Sequence, residues 1–147
     1  MRQEMVMAAL GLTLSVGAVL AQSDPVKERE DLMKANQKGA DLVVAMMQGK
    51  APYDAKVVDA AFQQWADTAQ KLPGLFPEGS QTGGDNRASS KIWVNKKDFD
   101  EKSAAFGKAV ADNRAKAIGS LDGLRAAIPT VGNGCDNCHK EYRLSRH

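Results

Sequence analysis

Both cysteines and both histidines of this 147-residue chain lie in one stretch, "VGNGCDNCHKEYRLSRH", residues 131–147. Cys135 and Cys138 are two residues apart, and His139 follows directly. No other feature limits the fold as strongly. On a helix these positions lie three and four apart, so two thiols and one imidazole face the same way. A structural zinc site asks for four ligands, and with His147 these residues are the chain's whole supply of Cys and His. A disulfide across Cys-x-x-Cys closes a very small loop, which constrains the unfolded chain little and is redox-labile. Cys-x-x-Cys-His is also the attachment pattern of c-type haem. In that chemistry two thiols add across the two vinyl groups of the porphyrin, and the adjacent imidazole binds the iron from the same side. The bare pattern also serves redox exchange. An export signal, a helical chain and the lack of any other cysteine favour haem. Gly132 and Gly134 remove side chains just ahead of the motif and permit close backbone approach there, unless they are simple helix irregularities.

The opening of the chain, "MRQEMVMAALGLTLSVGAVLAQSDP", supplies the export signal. Arg2 precedes an apolar run from Met5 to Leu20, and Val19-Leu20-Ala21 offers small residues at the positions a signal peptidase reads. The run is too short and too rich in Ala and Gly for a comfortable membrane anchor. The expectation is a signal peptide over residues 1–21, cleaved after Ala21, and a periplasmic domain over residues 22–147. The formal net charge is +2, and Arg2 and Glu4 cancel, so cleavage leaves the balance unchanged. That is no footprint for nucleic acid.

The rest reads as helices. "DPVKEREDLMKANQKGADLVVAMMQGK" carries Val26, Leu32, Met33, Leu42, Val43, Met46 and Met47 at helical spacing, with Asp24-Pro25 as a capped start and Gly49 as a stop. A second helix restarts near Pro52–Asp54 and ends before Pro73, with Val57, Val58, Ala61, Phe62 and Trp65 along one face. Residues 72–93, "LPGLFPEGSQTGGDNRASSKIW", are rich in Pro, Gly and Ser. A loop this long in a small domain is functional or disordered. Phe76, Ile92 and Trp93 are available to anchor it, so an ordered wrap is expected. A third helix is expected from about residue 95 to 118 and a fourth from about 121 to 143, bent at Pro129. No strand pattern is visible. Four helices with one long connection predict an all-α four-helix bundle.

Every methionine precedes the haem motif, and Met33, Met46 and Met47 are those beyond the signal. The haem therefore belongs to the last helix, and a partner for the opposite face must come from an earlier one. Taken together, "VKEREDLMKAN", "APYDA", "LPGLFPEGSQTGGDNRA", "IWVNKKDF" and "CDNCHKEYR" resemble the class II c-type cytochromes: the cytochromes c prime and their low-spin relatives. The resemblance covers essentially the whole chain after the signal. It implies a left-handed antiparallel four-helix bundle enclosing one covalently bound haem c. It implies Arg29, Glu30 and Asp85 around the haem edge and propionates, and Met33 facing the iron on the distal side. Positions 29 and 33 share a helix face, which agrees. A solvated charged face is the plainer reading of Arg29 and Glu30, and a turn beside Gly83 and Gly84 that of Asp85. Trp93 reads as packing more than haem contact, and Tyr142 as packing. Arg143, four residues after His139, is expected on its helix face, where a cation disfavours an oxidised iron centre.

Two functions follow. One is electron transfer with periplasmic redox partner proteins, the iron held by His139 and Met33. The other is binding of nitric oxide or carbon monoxide at a five-coordinate, high-spin haem whose distal face Met33 only crowds. Met33 fits both, as a competent axial ligand and as a large flexible apolar group. Catalysis is not expected, because no distal histidine is at hand for peroxide chemistry. The resemblance also implies pairing of two copies through the first two helices, where Val43, Val44, Met47 and Val57 stand. That stripe reads equally as intramolecular core.

Overall fold

The computed structural model describes residues 24–145. The expected signal peptide and His147 lie outside the described residues. Four long helices carry the fold: α1 Pro25–Met47, α2 Ala55–Lys71, α4 Lys96–Gly119 and α5 Leu121–Tyr142. A 3-10 turn, Leu72–Leu75, and a one-turn helix α3, Lys91–Val94, sit at the two ends of the long connection. Neither short element was expected.

The helix limits follow from capping. The Asp24 carboxylate accepts from the Val26 and Lys27 amides, and Pro25 fills the first turn. Asp54 does the same for Lys56 and Val57. The Ser120 hydroxyl accepts from the Gly123 amide and opens α5 directly behind α4. Pro129 does not end α5, which runs through it; the proline sits at an exposed position, where the carbonyl it leaves unpaired can meet water.

The bundle runs up, down, up, down. Asn36 of α1 meets Trp65 of α2, while Gly39 meets Ala61. The Ser103 hydroxyl of α4 donates to the Ala69 carbonyl at 3.0 Å, and further along Arg114 pairs with Asp59 at 2.7 Å. Each step forward on one helix is a step back on its neighbour, so these pairs are antiparallel. The α4–α5 pair packs most extensively, then α2–α4, then α1–α2; α1 and α5 face one another with the least direct contact of the bundle neighbours.

Two apolar clusters fill the interior. The larger includes Val43, Met46, Val58, Phe62, Trp65, Phe106, Val110, Leu124 and Val131. The smaller consists of Leu72, Phe76, Ile92, Phe99 and Tyr142, at the end where the long connection crosses. Its rings meet edge to face, Phe76 on Phe99 at 4.7 Å and Phe99 on Tyr142 at 5.4 Å. Such pairs add roughly 1 kcal/mol each beyond area burial.

One expectation for α1 needs correction. Leu42 stands in the apolar pattern of α1 but is 44 % exposed. The stripe read as either a pairing face or intramolecular core is mostly core: Val43 is buried in it, Val57 and Met47 pack against it, and Val44 lies largely outside.

The long connection is an ordered wrap. Its first half reaches α1, where the Ser80 carbonyl accepts from Arg29 at 2.7 Å and the Asp85 amide donates to Glu30 at 2.8 Å. Its second half reaches the end of α5: the Ser89 amide donates to the Tyr142 carbonyl and the Leu144 amide to the Arg87 carbonyl. The Arg87 guanidinium also donates to the Leu144 carbonyl. Gly84 is the tight point of this wrap. Its φ is +53°, and a Cβ there would stand 2.6 Å from a Glu30 carboxylate oxygen and 3.3 Å from Val26. Gly84→Ala should therefore cost about 1–2 kcal/mol, from left-handed strain and a displaced Glu30. Thermal unfolding of the haem-loaded protein checks it; an unchanged midpoint would mean that the wrap is not held this closely.

Candidate haem site

The site is assembled at the end of the bundle that the wrap closes. Cys135, Cys138 and His139 lie on α5, all half-buried. The two are not joined in a disulfide. They straddle the two clusters: Cys135 packs against the larger and Cys138 against the smaller. Burial pushes the pKa of both thiols up, that of Cys135 with help from Asp136. A site built for disulfide exchange lowers its thiol instead. Burial also pulls the His139 imidazole down, reinforced by the charge of Arg143. A neutral imidazole is the form that binds metal.

Gly134 has a role the sequence did not disclose. A Cβ on it would lie 2.9 Å from the Phe106 ring of α4, so its bareness serves helix packing. Gly132 has nothing within 4 Å of its Cβ position. Arg143 also departs from expectation. Helix α5 ends at Tyr142, and Arg143 continues in extended backbone, so it does not share a helix face with His139. It acts on the imidazole through charge alone.

Met33 of α1 packs against the same small cluster as Cys138 of α5. The wrap and the two outer helices thus bring the early methionine and the late cysteine to one place, although more than a hundred positions separate them in the chain. The Asn36 side-chain amide donates to the Met33 sulfur at 3.9 Å.

Arg29 is 6 % exposed. The surface reading of this residue is wrong: its guanidinium lies over the Phe76 ring at 4.5 Å and within 5.8 Å of the Trp93 ring. One terminal nitrogen donates to Ser80, and the other, Nη1, is buried with no hydrogen-bond partner. Burial lowers its basicity, opposed by Asp24 and Glu30. An orphaned guanidinium nitrogen of this kind calls for an anion. Glu30 is half-buried, receives the Asp85 amide and pairs with Lys34 at 3.6 Å. Glu30 and Asp85 are therefore brought together, as loop anchor on α1. Trp93 packs against the small cluster and donates its indole N–H to the Pro77 carbonyl at 3.1 Å, a packing and loop-holding role.

Tyr142 locks the end of α5. It is 3 % exposed, and its hydroxyl donates to Asp98 of α4. Burial and that hydrogen bond push the phenol up to about 12. Lys91 of α3 pairs with Glu141 at 2.8 Å and holds the same end from the loop side.

These residues fit a haem. Two half-buried thiols and a neutral imidazole share one helix, and a cation with an unmet donor stands on α1, suited to the carboxylates at a haem edge. The fold and this set of residues define a helical-bundle c-type cytochrome. The cytochrome C' family profile matches residues 24–143, and the chain belongs to that family. It is 39 % identical to cytochrome c-556 of Rhodopseudomonas palustris, over 94 % of this chain and 95 % of that protein. It is 34 % identical to cytochrome c' of the same organism, over 92 % of each. The solved structure of a Rhodopseudomonas palustris cytochrome c' superposes with a TM-score of 0.80 at 33 % identity, covering 86 % of this chain and 100 % of the other. Proteins of this family are electron-transfer cytochromes that bind a single covalently attached haem c.

Proposed function

We propose that this protein is a periplasmic electron carrier in which Cys135 and Cys138 hold haem c, His139 is the proximal axial ligand and Met33 the distal one. When bound, the haem supplies a one-electron couple. The chain's own residues then fix how that couple behaves. Cys135 and Cys138 tether it to α5 and His139 gives one strong nitrogen ligand. Met33 gives a thioether from the other side, Arg29 meets a propionate with its unpaired Nη1, and Glu30 and Asp85 hold the loop at the haem edge. A fixed ligand on each side keeps the geometry nearly constant between oxidation states, which suits rapid electron transfer.

The observation that carries this reading is the position of Met33. It shares a cluster with Cys138, and its sulfur is oriented by a hydrogen bond instead of lying loose. Redox partner proteins of the periplasm are its expected partners, the location resting on the sequence of residues 1–21. No helix among the described residues is long and apolar enough to cross a membrane. Pairing with a second copy through the first two helices is part of this reading, supported by a shallow groove between α1 and α2 that Leu42 and Val57 line.

A second reading is binding of nitric oxide or carbon monoxide at five-coordinate haem. It is favoured by the apolar and aromatic surroundings of Met33, which suit a side chain that crowds the iron without bonding to it. Carbon monoxide added to the reduced protein separates the two. With Met33 as ligand, association should level off at high gas concentration, limited by release of the thioether. A rate that stays proportional to gas concentration would defeat the carrier reading.

A further inference from the structure

A hydrogen-bonded chain runs from the surface of α2 into the candidate ligand. The Gln64 amide donates to the Thr68 hydroxyl at 3.2 Å, the Thr68 hydroxyl to the Asn36 side-chain carbonyl at 2.8 Å, and the Asn36 amide to the Met33 sulfur at 3.9 Å. Gln64 also reaches the Asn36 carbonyl directly at 3.4 Å. Thr68 is 1 % exposed, so its hydroxyl has few partners to choose from. The Trp65 indole N–H donates to the Asn36 backbone carbonyl at 3.2 Å and fixes the helix at this position. With two donors on its carbonyl side, the Asn36 amide has one orientation, N–H toward the sulfur. Donors aligned head to tail polarise one another, and this chain ends on the thioether.

We propose that Asn36 is a positioning residue for Met33, oriented by Thr68 and Gln64, that occupies one sulfur lone pair, leaves the other for the iron and raises the reduction potential. This rests on the reading of Met33 as distal ligand. A thioether has two lone pairs. A donor on one selects the other, so the sulfur is presented in one configuration. The positive end of the N–H also draws electron density from the sulfur and makes it a poorer donor. The oxidised centre needs that density more than the reduced one, so the reduced state is favoured.

The test measures the midpoint potential and the visible spectrum of the haem-loaded protein in four forms: wild type, Asn36→Leu, Thr68→Val and the double variant. Asn36→Leu keeps the bulk and removes the donor. At a fixed ambient potential its ratio of reduced to oxidised protein should fall by roughly fivefold, a hydrogen bond's usual net worth. Thr68→Val keeps Asn36 but frees its amide to turn, and should shift the ratio the same way by less. The double variant should match Asn36→Leu alone, because both changes act along one chain. The sign is diagnostic, since a merely more apolar surrounding moves the potential upward. A low-spin Asn36→Leu protein with an unchanged or higher potential would overturn the proposal and leave Met33 ligation standing, and so would shifts that simply add. If Asn36→Leu fails to fold, Thr68→Val decides: a lower potential supports the chain and an unchanged one sinks it. A high-spin wild type would overturn the Met33 reading and this inference together.

Discussion

Replacing Met33 by alanine should turn a low-spin oxidised haem into a high-spin one and speed carbon monoxide binding to the reduced protein. The reasoning is one of competition for a single position. A thioether held at the iron leaves only a small open fraction for an incoming gas, and the apparent rate is scaled by that fraction. Each ~1.4 kcal/mol of iron–sulfur bonding withholds the site by another factor of ten. Alanine removes the sulfur and opens the position permanently, so acceleration of at least about tenfold is expected. The neighbours should hold their places, since Leu72, Phe76, Ile92, Phe99 and Tyr142 pack on one another as well as on Met33. If Met33 merely crowds the face, the substitution leaves the spin state alone, and only the gas rate moves.

The cysteine variants should have effects as large, of a different kind. Replacing Cys135 or Cys138 by alanine should leave one thioether. Replacing both should yield haem that extracts into acidified organic solvent, where the intact protein gives none. Stability should fall with it. The two thiols stand against different clusters, so the tethered ring is held at their seam, and the bundle without it lacks a large part of its interior. Loss of a group of that size costs roughly 3–5 kcal/mol by analogy with large core side chains. A diagnostic consequence is concentration dependence. A haem bound without a bond stabilises by mass action, so the unfolding midpoint of the double variant should rise with added haem. The tethered wild type should show no such dependence. Full haem retention in the double variant after acid extraction would remove these two residues from the attachment chemistry.

What the sequence disclosed was what neighbouring residues write. Asp24, Asp54 and Gly49 mark helix limits because a cap is a contact across two or three positions. The attachment motif is legible because its three side chains occupy one turn. The long connection was legible as ordered from its apolar anchors, and Phe76, Ile92 and Trp93 do pack where the wrap closes. The contacts that make the site specific span the chain and leave no local mark. Arg29 meets Ser80 across 51 positions, Glu30 meets Asp85 across 55 and Asn36 meets Thr68 across 32. Composition therefore reads Arg29 and Glu30 as a solvated face, and only the resemblance placed them at the haem. Asn36 was passed over altogether. Its one sequence signal is an amide three positions after Met33, on the same helix face, opposite a helix that carries a mid-helix threonine. Gly134 was read as allowing close backbone approach or as a simple helix irregularity, and the approach it allows is that of Phe106 on the neighbouring helix.

The central claim is a single iron–sulfur bond, and the absorption spectrum of the untouched oxidised protein at neutral pH tests it most directly. With Met33 bound, the spectrum should be low-spin, with a weak sulfur-to-iron charge-transfer band at the red end that Met33→Ala abolishes. A high-spin spectrum lacking that band would contradict Met33 as a ligand, and the carrier reading built on it would give way to an open site for a diatomic gas.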